Sequence, residues 1–197
     1  MEGNASSRII IVNTKNSNIG SIEDDTTYRN ELYKLLYKKY NLDIKNIPIY
    51  YIWDRDNCSN DSKMTKKLLS KLTSPYENEE FENGLLLLSY PCCESYTISN
   101  FEKNRIYLDY NIKDYVKDNK YRINLIDRFK IQRAVLEMIK NLEKLDIHDF
   151  DIDKIGKINM KTFCNEEQEF KNRNNYILLS FISVIFLDLG IITFREE

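Results

Sequence analysis

Apolar residues fall in short blocks between charged stretches, and the spacing inside each block predicts its element. Arg8–Val12 (RIIIV) is a β-branched run that predicts a buried strand. Residues 13–21 are polar and contain Gly20, which predicts a loop. Tyr28, Leu32, Leu35 and Leu36 recur at helical spacing, so an amphipathic helix is expected to about Tyr40. Glu23, Asp24 and Asp25 precede it, where negative charge suits the positive end of a helix. Pro48 opens a second strand, Ile49–Trp53, and Ser62–Leu72 predicts a second helix. A loop rich in Pro, Glu, Asn and Gly follows over residues 73–84. Leu85–Ser89 is continuously apolar and predicts a central strand. A third helix is expected from near Pro91, because proline is favoured at a first helical position; it carries Glu94, Tyr96, Ile98 and Phe101.

Strands and helices alternate up to this point, which argues for an α/β fold with a mostly parallel sheet flanked by helices. After Arg105 the pattern changes. Residues 104–121 are charged and Tyr-rich without a clear period, Ile123–Leu145 predicts a long amphipathic helix, and residues 146–161 read as a loop. The expected organisation is an α/β core over residues 1–105 and a mainly helical C-terminal extension over 106–197, packed on the core. The last apolar block, Tyr176–Leu187, is about 12 residues long, short of the roughly 20 that a membrane span needs. It is expected to be a core or partner-docking helix, with no membrane association.

Composition narrows the class. A chain of 197 residues, 42% hydrophobic and 30% charged, is globular and large enough to bury a core without disulfides. A net charge of −2 gives no global basic footprint for nucleic acid. Cys58, Cys92, Cys93 and Cys164 form no CxxC pair, and the single His148 cannot complete a zinc-finger pattern. Reduced thiols and a cytoplasmic location are expected, since no signal-peptide pattern opens the sequence.

The densest chemistry lies in Ile47–Asn60 (IPIYYIWDRDNCSN), where an apolar strand runs into Asp-Arg-Asp. Asp54 and Asp56 are two apart, so on an extended backbone both point to one side. Two carboxylates at the carboxyl end of a strand fit a divalent cation, and Mg²⁺ is commonly held by one or two carboxylates together with substrate phosphates. The plain alternative is an Asp-rich turn after a strand. Glu94, in the first turn of the helix after the next strand, would share that rim if the two strands are parallel neighbours. Alone, it reads more simply as an acidic first-turn residue that stabilises the helix dipole.

Taken together, WDRD after a strand and LLLLSYPCCESYTISNF one helix later resemble the Toprim domains of RloB-like and OLD-type nucleases. The resemblance covers about residues 8–101 and rests on Asp54 and Asp56 for the first motif, then Ser89, Pro91 and Glu94 for the second. It implies a Toprim-like fold and a Mg²⁺- or Mn²⁺-dependent nuclease of a prokaryotic phage-defence type. Asp54 and Asp56 would be metal ligands, and Glu94 a ligand with a catalytic part. One departure matters: such domains open with a strand ending in glutamate, whereas Arg8–Val12 runs into Asn13-Thr14 with no acid before Glu23. A reduced domain, a substitute among Glu23, Asp24 and Asp25, or a catalytically inactive domain would each account for it.

Lys63, Lys66, Lys67 and Lys71 share one helical face, as do Lys34, Lys38 and Lys39 on the helix before. Lys63, Lys66 and Lys67 are the candidate contacts to a nucleic-acid backbone, against the ordinary reading of a solvated outer face. Asp149, Asp151 and Asp153 alternate but lack the glycine and terminal Glu of a calcium loop. Cys92 and Cys93 are expected to be small packing residues rather than nucleophiles. Two functions follow. One is Mg²⁺-dependent phosphodiester cleavage. The other is a catalytically inactive interaction subunit that docks on a larger partner, such as an ATPase or itself, through the C-terminal helix.

Overall fold

The computed structural model describes residues 9, 11, 34, 36–41, 48–56, 60–76, 84–103, 107 and 111–193. The expected first strand, Glu23, Asp24, Asp25 and Cys58 lie outside the described residues, and of the expected first helix residues 34 and 36–40 are helical.

The elements in order are β1 (Tyr50–Asp54), α1 (Ser62–Lys71), β2 (Thr73–Ser74), β3 (Gly84–Tyr90), α2 (Glu94–Ser99) and α3 (Ile112–Asp118). A 3₁₀ segment (Lys120–Leu125), α4 (Arg128–Lys144), a 3₁₀ turn (Ile152–Lys154), α5 (Ile155–Arg173), β4 (Leu179–Ser180) and α6 (Ile182–Asp188) complete them. This is an α/β chain around a small mixed sheet. β3 is its hub. β1 lies parallel beside it, with Tyr50 opposite Leu85 and Asp54 opposite Ser89. Along the other edge of β3, β2 pairs antiparallel at the start and β4 antiparallel at the end. The expectation of a mostly parallel sheet is therefore corrected: only β1–β3 is parallel among the described pairs. Both antiparallel partners are two residues long, too short for any alternation to betray them in sequence.

Every residue of β3 is buried, as a continuous apolar run requires when both faces are covered. α1 and α5 pack on each other and on β3, while α2, α4 and α6 gather around β3 and β4. One core cluster joins Leu68, Leu69 and Leu85–Leu88 to Met138, Leu142, Phe163, Phe181 and Val184. Gly84, at φ +125°, leaves room for the Tyr51 ring, which would lie 2.4 Å from a Cβ there.

The C-terminal half departs most from the expected elements. Residues 146–161 are not all loop, because α5 starts at Ile155 and runs for 19 residues. Its inner face includes Asn159, Thr162 and Glu166, and these polar residues conceal the helical period. The block Tyr176–Leu187 is not one helix: residues 176–178 are irregular, β4 follows, and only Ile182–Asp188 is helical. Tyr176, Ile177, Leu178, Leu179, Phe181 and Val184 are all buried, so their apolar surface is taken up inside the chain's own core. Asn141 Nδ2 donates to Leu178 O at 2.6 Å, and Ile177 N–H donates to Glu166 at 3.0 Å. These bonds satisfy the irregular backbone where it is buried.

Candidate functional site: an acidic rim over a buried arginine

The carboxyl ends of β1 and β3 form one rim. The parallel register carries past the strands: Arg55 N–H donates to Ser89 O at 2.8 Å and Asp56 N–H to Pro91 O at 3.1 Å. Chain 54–56 is thereby zipped to chain 89–91. The Asp54 carboxylate closes the rim by accepting the Cys93 N–H at 2.7 Å. Glu94, the next residue, opens α2. Asp54, Asp56 and Glu94 are each half-buried. The rim thus unites the DxD segment and the S-x-P-x-x-E segment.

The two thiols between them sense both acids. Burial pushes the Cys92 thiol up, with further contributions from the neighbouring Glu94 and Asp54 charges. Burial and the hydrogen bond to Asp54 push Cys93 up to about 12. Both therefore stay protonated at neutral pH, which disfavours them as nucleophiles. Cys92 packs with Ile98, Ile112 and Leu178 in a second small core cluster.

The donor chemistry of the rim, carboxylate oxygen, is that of a Mg²⁺ or Mn²⁺ site. The arrangement is open: among the described residues, no group of three or more His, Cys, Asp or Glu side chains stands ready to hold a metal ion. An ion here would draw on one or two carboxylates and complete its shell with water and substrate phosphate, as Mg²⁺ characteristically does.

Arg55 alternates with the two aspartates and points away from them into the protein, where it is 2% exposed. Nε donates to Glu167 Oε1 at 2.7 Å, Nη1 to Asn60 O at 2.9 Å and Nη2 to Ser62 Oγ at 2.8 Å. Ser62 in turn donates to Glu167 Oε2 at 2.6 Å. The guanidinium also lies 5.5 Å from the Phe163 ring centre and 5.8 Å from that of Tyr176. Burial opposes its charge, but the Glu167 bond and nearby anionic groups outweigh that and hold its pKa above the ordinary value. Burial likewise opposes the Glu167 charge, and the bonds from Arg55 and Ser62 overcome it and lower that carboxyl. Neither Arg55 nor Glu167 was among the expected site residues. The available signal was the alternation D-R-D itself, which sends the middle residue to the opposite face.

Beside this pair sits Glu166, fully buried, whose Oε1 has no hydrogen-bond partner among the described residues; the buried Tyr90 hydroxyl is in the same position. Burial raises the Glu166 carboxyl well above its ordinary value, against the pull of the Ile177 N–H.

Of the candidate nucleic-acid residues, Lys63, Lys66 and Lys67 all lie on the exposed side of α1, opposite the buried Thr65, Leu68 and Leu69. α1 starts at the rim, capped by Asp61, whose side chain accepts the Met64 N–H at 2.9 Å. Lys63 is thus nearest the acids, and Lys71 lies about 12 Å further along the helix at 1.5 Å per residue. Asp151, one of the alternating aspartates, shapes its own turn. It accepts the Asp153 N–H at 3.1 Å and pairs with Lys154 at 2.8 Å. His148 contacts the exposed Asp146, at 3.0 Å.

No family model matches the chain, and neither a curated protein nor a solved structure matches it.

Proposed function

We propose that the rim is a phosphodiester-handling site of Toprim-like type, the nuclease domain of a phage-defence system. Asp54 and Asp56 hold Mg²⁺ or Mn²⁺ jointly with the substrate phosphates. Glu94 lies beside them to orient the ion or a water, and Lys63, Lys66 and Lys67 neutralise the phosphate backbone. The bound ion would supply Lewis-acid stabilisation of the phosphoryl oxygens. The observation that carries this reading is the parallel β1–β3 pairing, extended by Asp56 N–H to Pro91 O and Cys93 N–H to Asp54, which brings both motifs to one rim. Calorimetric titration of Mn²⁺ with and without a non-hydrolysable phosphodiester tests it, beside a plasmid-nicking assay. The expected result is ion binding strengthened by the phosphate, and nicking abolished in the Asp54→Ala/Asp56→Ala double variant with an unchanged circular-dichroism spectrum. Nicking that survives the double change would reject the site.

A second reading, a catalytically inactive interaction subunit, is favoured by one specific observation: an Asp54 oxygen is already engaged by the Cys93 N–H. The missing acid after Arg8–Val12 points the same way. Under this reading Mn²⁺ does not bind at all, and the acids serve to join β1 to α2.

A further inference from the structure

α4 carries apolar residues on two faces, and among the described residues only one of them is packed. Ala134, Val135, Met138 and Leu142 face the core. On the opposite side Phe129 is 83% exposed and Leu136 40%. At 100° per residue, Phe129, Arg133, Leu136 and Lys140 fall within about 60° of one another, at i, i+4, i+7 and i+11. The 3₁₀ segment just before α4 adds the exposed Ile123 and Leu125. Of four cations around this stripe, two are uncommitted among the described residues. Arg128 and Arg133 have no charged or hydrogen-bonded side-chain partner among the described residues, while Lys130 pairs with Asp127 and Lys140 with Glu137.

We propose that this outer face of α4 docks an acidic amphipathic helix of a partner protein. The apolar spacing is that of a helix-packing seam, in which aliphatic knobs recur every three or four residues. The free arginines call for Asp or Glu flanking those knobs on the partner. A second copy of this chain offers the same face, on which the cations Arg133 and Lys140 outnumber the exposed acid Glu143, so an acidic helix complements it better. Single-stranded nucleic acid is held by successive aromatic platforms, whereas here one phenylalanine stands among leucine and isoleucine. An anionic bilayer would attract the same arginines, and the vesicle arm of the test below separates it from a protein helix. The inference is independent of what the acidic rim binds.

The test uses the full chain and a labelled synthetic helix of about 20 residues, long enough to be helical, with leucine at every third or fourth position and glutamate on the flanks. A twin peptide carries lysine in place of glutamate, and an oligo-dT strand and phosphatidylserine vesicles complete the set. The acidic helix should bind and weaken as salt is added. Phe129→Ser and Arg133→Glu should each reduce its affinity by about tenfold or more, as loss of an anchor or of charge complementarity does. Because Phe129 is exposed, its variant should unfold at the same urea concentration as the parent. Three results would overturn the proposal. They are equal binding of the lysine twin, binding of oligo-dT or vesicles through Phe129 without the acidic helix, or a parent dimer that Phe129→Ser dissociates.

Discussion

Arg55 and Glu167 stand 112 positions apart in the chain and meet Nε to Oε1 at 2.7 Å, pinning the segment between the two aspartates to α5. The pair is asymmetric. Arg55 is 2% exposed and Glu167 19%, so only the glutamate has access to water. Removing the glutamate strands a buried cation, for which about 3–5 kcal/mol is the usual cost. Glu167→Ala should therefore lower the unfolding free energy by about that amount in urea titrations. Arg55→Met, which leaves the carboxylate able to solvate, should cost less. The double variant Arg55→Met/Glu167→Leu should lie closer to the parent than Glu167→Ala alone. Equal losses from the two single variants would show that the pair does not pin this segment.

Glu166 gives the neighbouring position the opposite pH dependence. Burial raises its carboxyl above 4.5, and the charges of Glu169 and Glu167 on its own helix add to that; the Ile177 N–H acts against. Tyr90 on β3, and Tyr107 and Tyr176, are the other titratable groups that feel its charge among the described residues. The folded protein holds this proton where the unfolded chain has released it. Stability therefore falls as pH rises from the ordinary carboxyl value toward the raised one. Glu167, whose carboxyl is lowered, contributes stability that is present above its ordinary value and lost as pH falls through the lowered one. Glu166→Gln keeps an acceptor for Ile177 and removes the titration. Its urea midpoint should gain on the parent progressively above about pH 4.5, the ordinary carboxyl range. A difference that stays flat from pH 4 to pH 9, spanning the ordinary Glu and His ranges about 4.3 and 6.5, would assign no such proton to Glu166.

The N-terminal elements of the sheet were legible because their patterns are local. The expected strands Ile49–Trp53 and Leu85–Ser89 became Tyr50–Asp54 and Gly84–Tyr90, and the helix Ser62–Leu72 became Ser62–Lys71. Each is bounded by a recognisable signal: Pro48, the Asp61 cap, and the end of an apolar run. What was not legible depends on partners distant in sequence. β2 and β4 are strands only by pairing two residues each with β3. α5 hides its inner face behind Asn159, whose side chain bonds Leu86 O, behind Thr162, whose hydroxyl donates to Ile158 O, and behind Glu166, one of whose oxygens accepts the Ile177 N–H. At the site, D-x-D announced Asp54 and Asp56, but the middle arginine acquires meaning only through Glu167. The Tyr176–Leu187 block shows the limit of hydropathy: its length and apolarity were plain, yet strand or helix was decided by where β3 ended and needed a neighbour.

The thiols report directly on the rim. Cys164 is exposed, Cys92 is buried and Cys93 is half-buried beside Asp54. Burial and the Asp54 bond hold Cys93 near 12, so its thiolate is scarce at neutral pH. Iodoacetamide applied to the native protein, followed by peptide mass mapping, should modify Cys164 well before Cys92 and Cys93, which should stay largely unlabelled. Asp54→Asn removes the negative charge and should speed labelling of Cys93 without changing that of Cys164. If Cys93 labels as fast as Cys164 in the parent, the closed rim is not the solution structure.

Helix α5 approaches the sheet at a position where there is no space for a side chain. A Cβ at Gly156 would lie 2.6 Å from Thr73 O and 2.9 Å from Thr73 Cβ, so the obstacle is β2 itself rather than a movable side-chain tip. Two effects oppose each other in Gly156→Ala. Alanine is the better helix former, by about 1 kcal/mol, because glycine loses more backbone entropy on folding. Overpacking of a closed contact typically costs about 1–3 kcal/mol, since backbone must shift to relieve it. Thr73 cannot yield freely, because it pairs with Leu85 in the sheet and β3 is buried along its length. The steric term should therefore win, and Gly156→Ala should unfold at lower urea than the parent despite its higher helix propensity. A surface control on the same helix, Lys157→Ala, touches no such contact and should leave the midpoint within about 0.5 kcal/mol of the parent. If Gly156→Ala were instead stabilising, α5 would not lie against β2 as closely as the backbone places it. The anchoring of Glu167 beneath the acidic rim would then need another support.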